Sequence, residues 1–206
     1  MALQPTSLRE QRDALAMYLE YLPVLELRKQ QLERGARAIE LELERVAGAF
    51  EDHLESVRPW WGLAAVELDR LGDRLEAPTV RTGPVTVAGV TVPGLLGVDF
   101  PNVSFSLVGT APVLDAALAW RERALTLTAQ RDVLTRQRER IESERVRTTQ
   151  RINLYEQVLI PETRARIRRI RRHLGDQLTA AVCRAKIAKS KLLARERRKG
   201  ESHGRR

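Results

Sequence analysis

Cysteine, histidine and aromatic side chains are scarce in this 206-residue chain, which holds one Cys, three His and three each of Trp, Tyr and Phe. A lone Cys183 excludes an internal disulfide and points to a reducing compartment. His53, His173 and His203 lie far apart, and none stands in a metal-ligand spacing with another His or with Cys183. There is no Gly-x-x-x-x-Gly-Lys phosphate loop and no glycine-rich dinucleotide fingerprint, so neither nucleotide binding nor any cofactor is expected. With no catalytic constellation left, the chain reads as a non-enzyme. Long apolar runs are missing too. Met1–Glu10 lacks a signal-peptide core, and charges interrupt every stretch approaching the ~18 apolar residues of a membrane helix. A cytoplasmic protein is expected, meeting a membrane only through partners.

What is present is helix-forming sequence with a seven-residue beat. One ladder runs Leu8, Leu15, Leu22, Lys29, Ala36, Leu43, Phe50, Val57, and a second, offset by three, runs Gln11, Tyr18, Leu25, Leu32, Ile39, Val46, His53. Two mostly apolar seams over about seven heptads predict a coiled-coil helix rather than a globular one. Its stripe needs a partner of similar length. Pro23 interrupts the pattern and predicts either a kink or helix onset just before it.

Arg58-Pro59 closes this helix, and Trp60 to Leu75 reads as a short second one. From Ala77 the texture changes. Val80, Val85, Val87, Val90 and Val92 stand among Thr and Gly and are punctuated by Pro84, Pro93, Gly94 and Gly97, which predicts a β-hairpin. Val103, Phe105 and Leu107 alternate with serines as in a further strand. Pro112 sits near the start of the second arm, which then lacks Gly and Pro until Pro161. Its apolar positions are Leu118, Leu125, Leu134, Ile141, Ile152, Tyr155 and Leu159, then Ile167, Ile170, Leu174, Leu178, Ala181, Ala185, Ala188 and Leu192. Between Leu127 and Ile152 the stripe thins, with Gln137, Arg138 and Arg145 near the seam, so looser pairing is expected there.

Two such arms joined by about fifty residues must fold back to bury their stripes. The expected fold is all-α dominated, a long antiparallel two-helix coiled coil with a small β-hairpin insertion between the helices. Its expected parts are a first coiled-coil helix over 1–58, a short helix and hairpin over 59–112, a second coiled-coil helix over 113–199 and a disordered basic tail over 200–206. Cys183 is then expected as a small buried seam residue, His53 at the seam edge and His173 in solvent. Trp60, Trp61 and Trp120 flank the insertion and are expected in its core, with any exposed one marking a subunit contact.

Charge is the strongest local feature. The net charge is +9, and from Arg164 to Lys199 fourteen Lys or Arg face only Asp176 and Glu196, whereas Arg9 to Glu76 holds fifteen acids and ten bases. The arms attract one another, and the C-terminal end keeps a positive excess that asks for an acidic or nucleic-acid partner. A basic-region zipper places its basic helix before the heptads and an RNA module usually offers stacking aromatics; neither pattern occurs here. A basic nucleic-acid-binding coiled coil and a scaffold stay open as alternatives.

Three segments resemble the D subunit of V-type and archaeal-type rotary ATPases, in particular its bacterial branch. They are Met17-Tyr18-Leu19 with Leu22-Pro23-Val24-Leu25-Glu26-Leu27-Arg28-Lys29, then Val87-Ala88-Gly89-Val90-Thr91-Val92-Pro93, and then Arg151-Ile152-Asn153-Leu154-Tyr155-Glu156 with Leu159-Ile160-Pro161-Glu162-Thr163 and the basic Lys186-Ile187-Ala188-Lys189. The arginine-rich run from Arg164 to Arg172 departs from the family pattern. The resemblance implies a rotor shaft whose paired ends enter a ring of alternating A and B subunits, catalytic and non-catalytic. It implies also a companion F subunit on the shaft's side and a funnel-shaped subunit above the membrane ring, with no nucleic acid. Leu8, Arg9, Arg12, Arg184, Lys186, Lys189 and Lys191 are the expected contacts with the catalytic ring.

Overall fold

The computed structural model describes residues 5–102 and 113–203. Its elements are α1 (Pro5–Val57), α2 (Trp61–Leu71), β1 (Thr79–Val87), β2 (Val90–Asp99), α3 (Val113–Leu154) and α4 (Ile160–His203). Long helices thus flank a two-stranded antiparallel hairpin, the expected fold class. The further strand expected over Val103, Phe105 and Leu107 lies outside the described residues, as does Pro112. Residues 204–206 also lie outside them.

Chain contacts divide the molecule into two compact units, Leu27–Thr149 and the terminal segments up to Glu26 and from Gln150. In the first unit, α1 and α3 pack antiparallel, with Leu32 and Ile39 against Ile141, and His53 against Trp120. Both predicted ladders point inward. Leu32, Ile39, Val46 and Val57 are buried and the ladder residues between them are partly covered. Leu32 and Ile141 are both 0% exposed, and each such side chain contributes about 1.5–3 kcal/mol relative to exposure.

The expectation of loose pairing between Leu127 and Ile152 is corrected here. Val133, Gln137, Ile141 and Thr148 are all buried, and Val92 of β2 joins Leu32, Ile39 and Ile141 in one cluster. The hairpin supplies the apolar surface that the seam lacks. Two local features let it come close. Ala88 (φ 49°) and Gly89 (φ 73°) form a tight turn with both residues left-handed, the geometry that suits a two-residue hairpin loop. Opposite it, α1 carries Gly35, where a Cβ would stand 3.0 Å from the Ala88 Cβ. Gln137 completes the attachment by donating from Nε2 to the Pro93 carbonyl at 2.7 Å. Proline at 93 has no N–H to give the ladder, but its carbonyl is free to accept.

A second cluster, Val57, Ala64 and Ala117 with Trp60, Leu68 and Trp120 packed on it, holds α2 against α1 and α3. α2 is shorter than the Trp60–Leu75 span expected, with 3-10 turns over Arg58–Trp60 and Gly72–Arg74 at its ends. Pro59 at the first of these turns has no donor to continue α1.

In the terminal unit α1 continues helical through Pro23, so helix onset there is excluded. The C-terminal arm is not one uninterrupted α-helix. A π turn over Tyr155–Leu159 separates α3 from α4, with the Ile160 N–H donating to the Tyr155 carbonyl. Pro161 follows directly, and its ring would crowd the carbonyl four residues back in a regular helix, so a widened turn just before it relieves that conflict. Tyr18 packs edge-on against Tyr155, ring centroids 5.4 Å apart, and Ile160, Ile167 and Ile170 are buried.

Candidate functional site

The seven expected contact residues fall into two groups. Leu8, Arg9 and Arg12 lie on the first turns of α1; Leu8 is half-buried, Arg9 pairs loosely with Asp13 at 3.9 Å, and Arg12 is exposed. Arg184, Lys186, Lys189 and Lys191 are exposed along α4. Arg12 is brought together with a different set, Arg164, Arg168 and Arg171, around one groove of the terminal unit. Those three arginines were absent from the expected contacts, although their i, i+4, i+7 spacing places them on one helix face.

From Gly175 to Ala194 every residue of α4 is exposed. This overturns the expected seam there: Leu178 is 69% exposed, Leu192 60%, and Ala181, Ala185 and Ala188 are exposed as well. Cys183, expected to be buried among them, is exposed for the same reason. Arg12 and Leu15 already stand beside Ile167 and Arg171, and the described part of α1 begins only seven residues before Arg12. At equal rise along antiparallel helices, the described part of α1 reaches the region of Gly175, and beyond it α4 has no covering partner among the described residues.

His53 and His173 make separate contacts. His53 Nε2 and the Trp120 carbonyl are 2.9 Å apart, Trp120 Nε1 donates to the His53 carbonyl at 2.9 Å, and the rings stack at 5.3 Å. This reciprocal pair fixes α1 against α3. His173 instead meets Gln177 at 2.9 Å in solvent. Of the tryptophans, Trp60 and Trp120 pack on the core of the insertion, whereas Trp61 touches Trp120 edge-on and stays 47% exposed. Among the described residues no cluster of His, Cys, Asp and Glu could hold a metal, and no helix is long and apolar enough to cross a membrane.

The clearest electrostatic shifts also lie in the paired unit. The Arg145 guanidinium hydrogen-bonds Glu142 and holds its carboxyl below the usual range, while Arg145 is raised by the same bond, with Glu33 of α1 adding attraction. The arginine expected to loosen the seam is thus held by an acid one turn back on its own helix.

These features define a class: a protein of long paired helices with a β-hairpin insertion and a basic helix that is exposed from Gly175 to Ala194. A family model described as the D subunit of ATP synthase matches residues 7–190. The V-type ATP synthase D subunit of Borreliella burgdorferi is 31% identical over 195 residues, covering 95% of this chain and 96% of that protein. The protein of the same name from Chlamydia felis is 29% identical over 203 residues, 97% and 96% of the two chains, and that of Chlamydia pneumoniae 27% over 201 residues, again 97% and 96%. The chain belongs to the family of ATP synthase D subunits, in the branch that holds these bacterial V-type proteins.

Proposed function

We propose that this chain is the central rotor shaft of a rotary V-type ATPase, itself without catalytic residues, coupling ATP hydrolysis or synthesis in a catalytic ring to rotation of a membrane ion-translocating ring. The observation that carries this reading is the helix from Gly175 to Ala194, exposed on all sides and bearing both apolar and basic residues. A helix of that kind gains from being enclosed by a partner with apolar and acidic surface, and the A and B subunits of the ring are the partners proposed. A shaft must also pass torque, which requires that its contacts with the ring differ from one angle to the next. Locked packing of α1, α3 and the hairpin supports such stiffness, since close-packed side chains transmit strain. The companion F subunit and a funnel-shaped subunit above the membrane ring complete the proposed partners. Membrane contact is through them alone, on the cytoplasmic side. Half-exposed Trp61 is a proposed subunit contact.

Native mass spectrometry of the full chain mixed with its cognate ring subunits tests this. One copy per ring, with altered ATP turnover, is expected. No association, together with tight and salt-sensitive binding to nucleic acid, would replace the reading by a nucleic-acid-binding coiled coil.

A further inference from the structure

We propose that the groove between α1 and α4, rimmed by Arg12, Arg164, Arg168 and Arg171, is the main electrostatic seat for an acidic segment of the ring, and that the cations nearer the end of α4 are secondary. This inference rests on the shaft reading above and specifies where the ring is held. The groove has a volume of about 410 Å³ and is lined also by Leu15, Leu19 and Ile167.

Three observations converge on it. The four guanidiniums come from two helices to one concave site, whereas Arg184, Lys186, Lys189 and Lys191 lie along one exposed helix. Two acids close in sequence point elsewhere: Asp13 lies toward Arg9 at 3.9 Å and Glu162 binds Arg166 at 3.0 Å. Among the described residues none of the four rim arginines has an ion-pair partner, so the groove keeps a positive excess. Planar guanidiniums clasp carboxylates in a two-pronged fashion, and the apolar lining suits a segment that places Leu or similar residues between its carboxylates. Nucleic acid fits less well. No aromatic ring lines the groove, and nearby Tyr18 is engaged edge-on with Tyr155, leaving no platform on which a base could stack.

Full-length chain is compared with Arg164→Glu/Arg168→Glu and with Lys186→Glu/Lys189→Glu for affinity to the cognate ring, with circular dichroism confirming that helix content is unchanged. The groove pair is expected to weaken binding by about a hundredfold and the distal pair by about tenfold or less, as for desolvated against rim charges. Benzoylphenylalanine at Leu19 is expected to cross-link to a ring peptide holding at least two carboxylates. Equal losses for the two pairs, unchanged affinity of the groove pair, or a cross-link to a peptide without acids would overturn the proposal while leaving the shaft reading intact. Failure of the unaltered chain to bind any ring would remove both. Loss of affinity for a single-stranded oligonucleotide, with ring binding kept, would reassign the groove to nucleic acid.

Discussion

The unit spanning Leu27–Thr149 and the stretch of α4 beyond Gly175 carry the same kind of apolar spacing and meet opposite fates. In the first, Leu32, Ile39 and Ile141 are sealed by one another and by Val92 of the hairpin. In the second, Leu178, Val182, Ile187 and Leu192 are all more than half exposed. Periodicity states that a helix has a face to bury; it does not say whether the partner lies in the same chain. Where the chain covers its own stripe, the stripe serves stability. Where it does not, the stripe and its lysines and arginines are available for another molecule.

The contrast is sharpest for large-to-small substitutions. Ile141→Ala in the sealed cluster is expected to cost about 2–5 kcal/mol in urea unfolding, whereas Leu178→Ala is expected to change stability by less than about 0.5 kcal/mol. A comparable cost at Leu178 would mean that α4 is covered in the free protein. Overpacking comes next. Gly35→Leu puts a side chain where even a Cβ stands 3.0 Å from Ala88, and a loss of about 1–3 kcal/mol is expected, with faster amide exchange in β1 and β2. Gln137→Ala removes the 2.7 Å bond to the Pro93 carbonyl, with an expected loss of about 1 kcal/mol by the same unfolding assay.

The smallest effect is that of acid. The Arg145 hydrogen bond holds the Glu142 pKa below its ordinary value, so the folded state binds this proton less readily than the unfolded one. Its contribution is present above the unfolded pKa and is lost as pH falls through the depressed folded one. Because the pair is surface-lying, the difference between the parent and Glu142→Gln in stability is expected to be small and to vanish below that range. A difference that grows on acidification would contradict this sign.

Much of the fold was legible because its signals are local. The Leu8-to-Val57 ladder, Arg58-Pro59 and the Val87-Ala88-Gly89-Val90 turn each act over a few residues. What escaped depends on packing between distant elements. Gln137 and Arg145 looked like flaws in a two-helix seam; the docked hairpin gives Gln137 its partner, and Arg145 pairs with Glu142 on its own helix. The groove was half legible: the run from Arg164 to Arg172 stood out as a departure from the family pattern, but its convergence with Arg12 requires the antiparallel register. The exposed end of α4 was misjudged because a heptad count cannot show where the opposing helix stops. The π turn before Pro161 depends on how the backbone accommodates a proline inside a long helix.

Hydrogen–deuterium exchange of the full chain, alone and bound to its cognate ring, bears most directly on the claim that the ring encloses the uncovered helix. Amides from Gly175 to Ala194 are predicted to exchange quickly in the free chain and to slow by about tenfold or more in the complex, while those around Leu32 and Ile141 stay slow in both. Unchanged exchange from Gly175 to Ala194 in a complex that has formed would contradict the account.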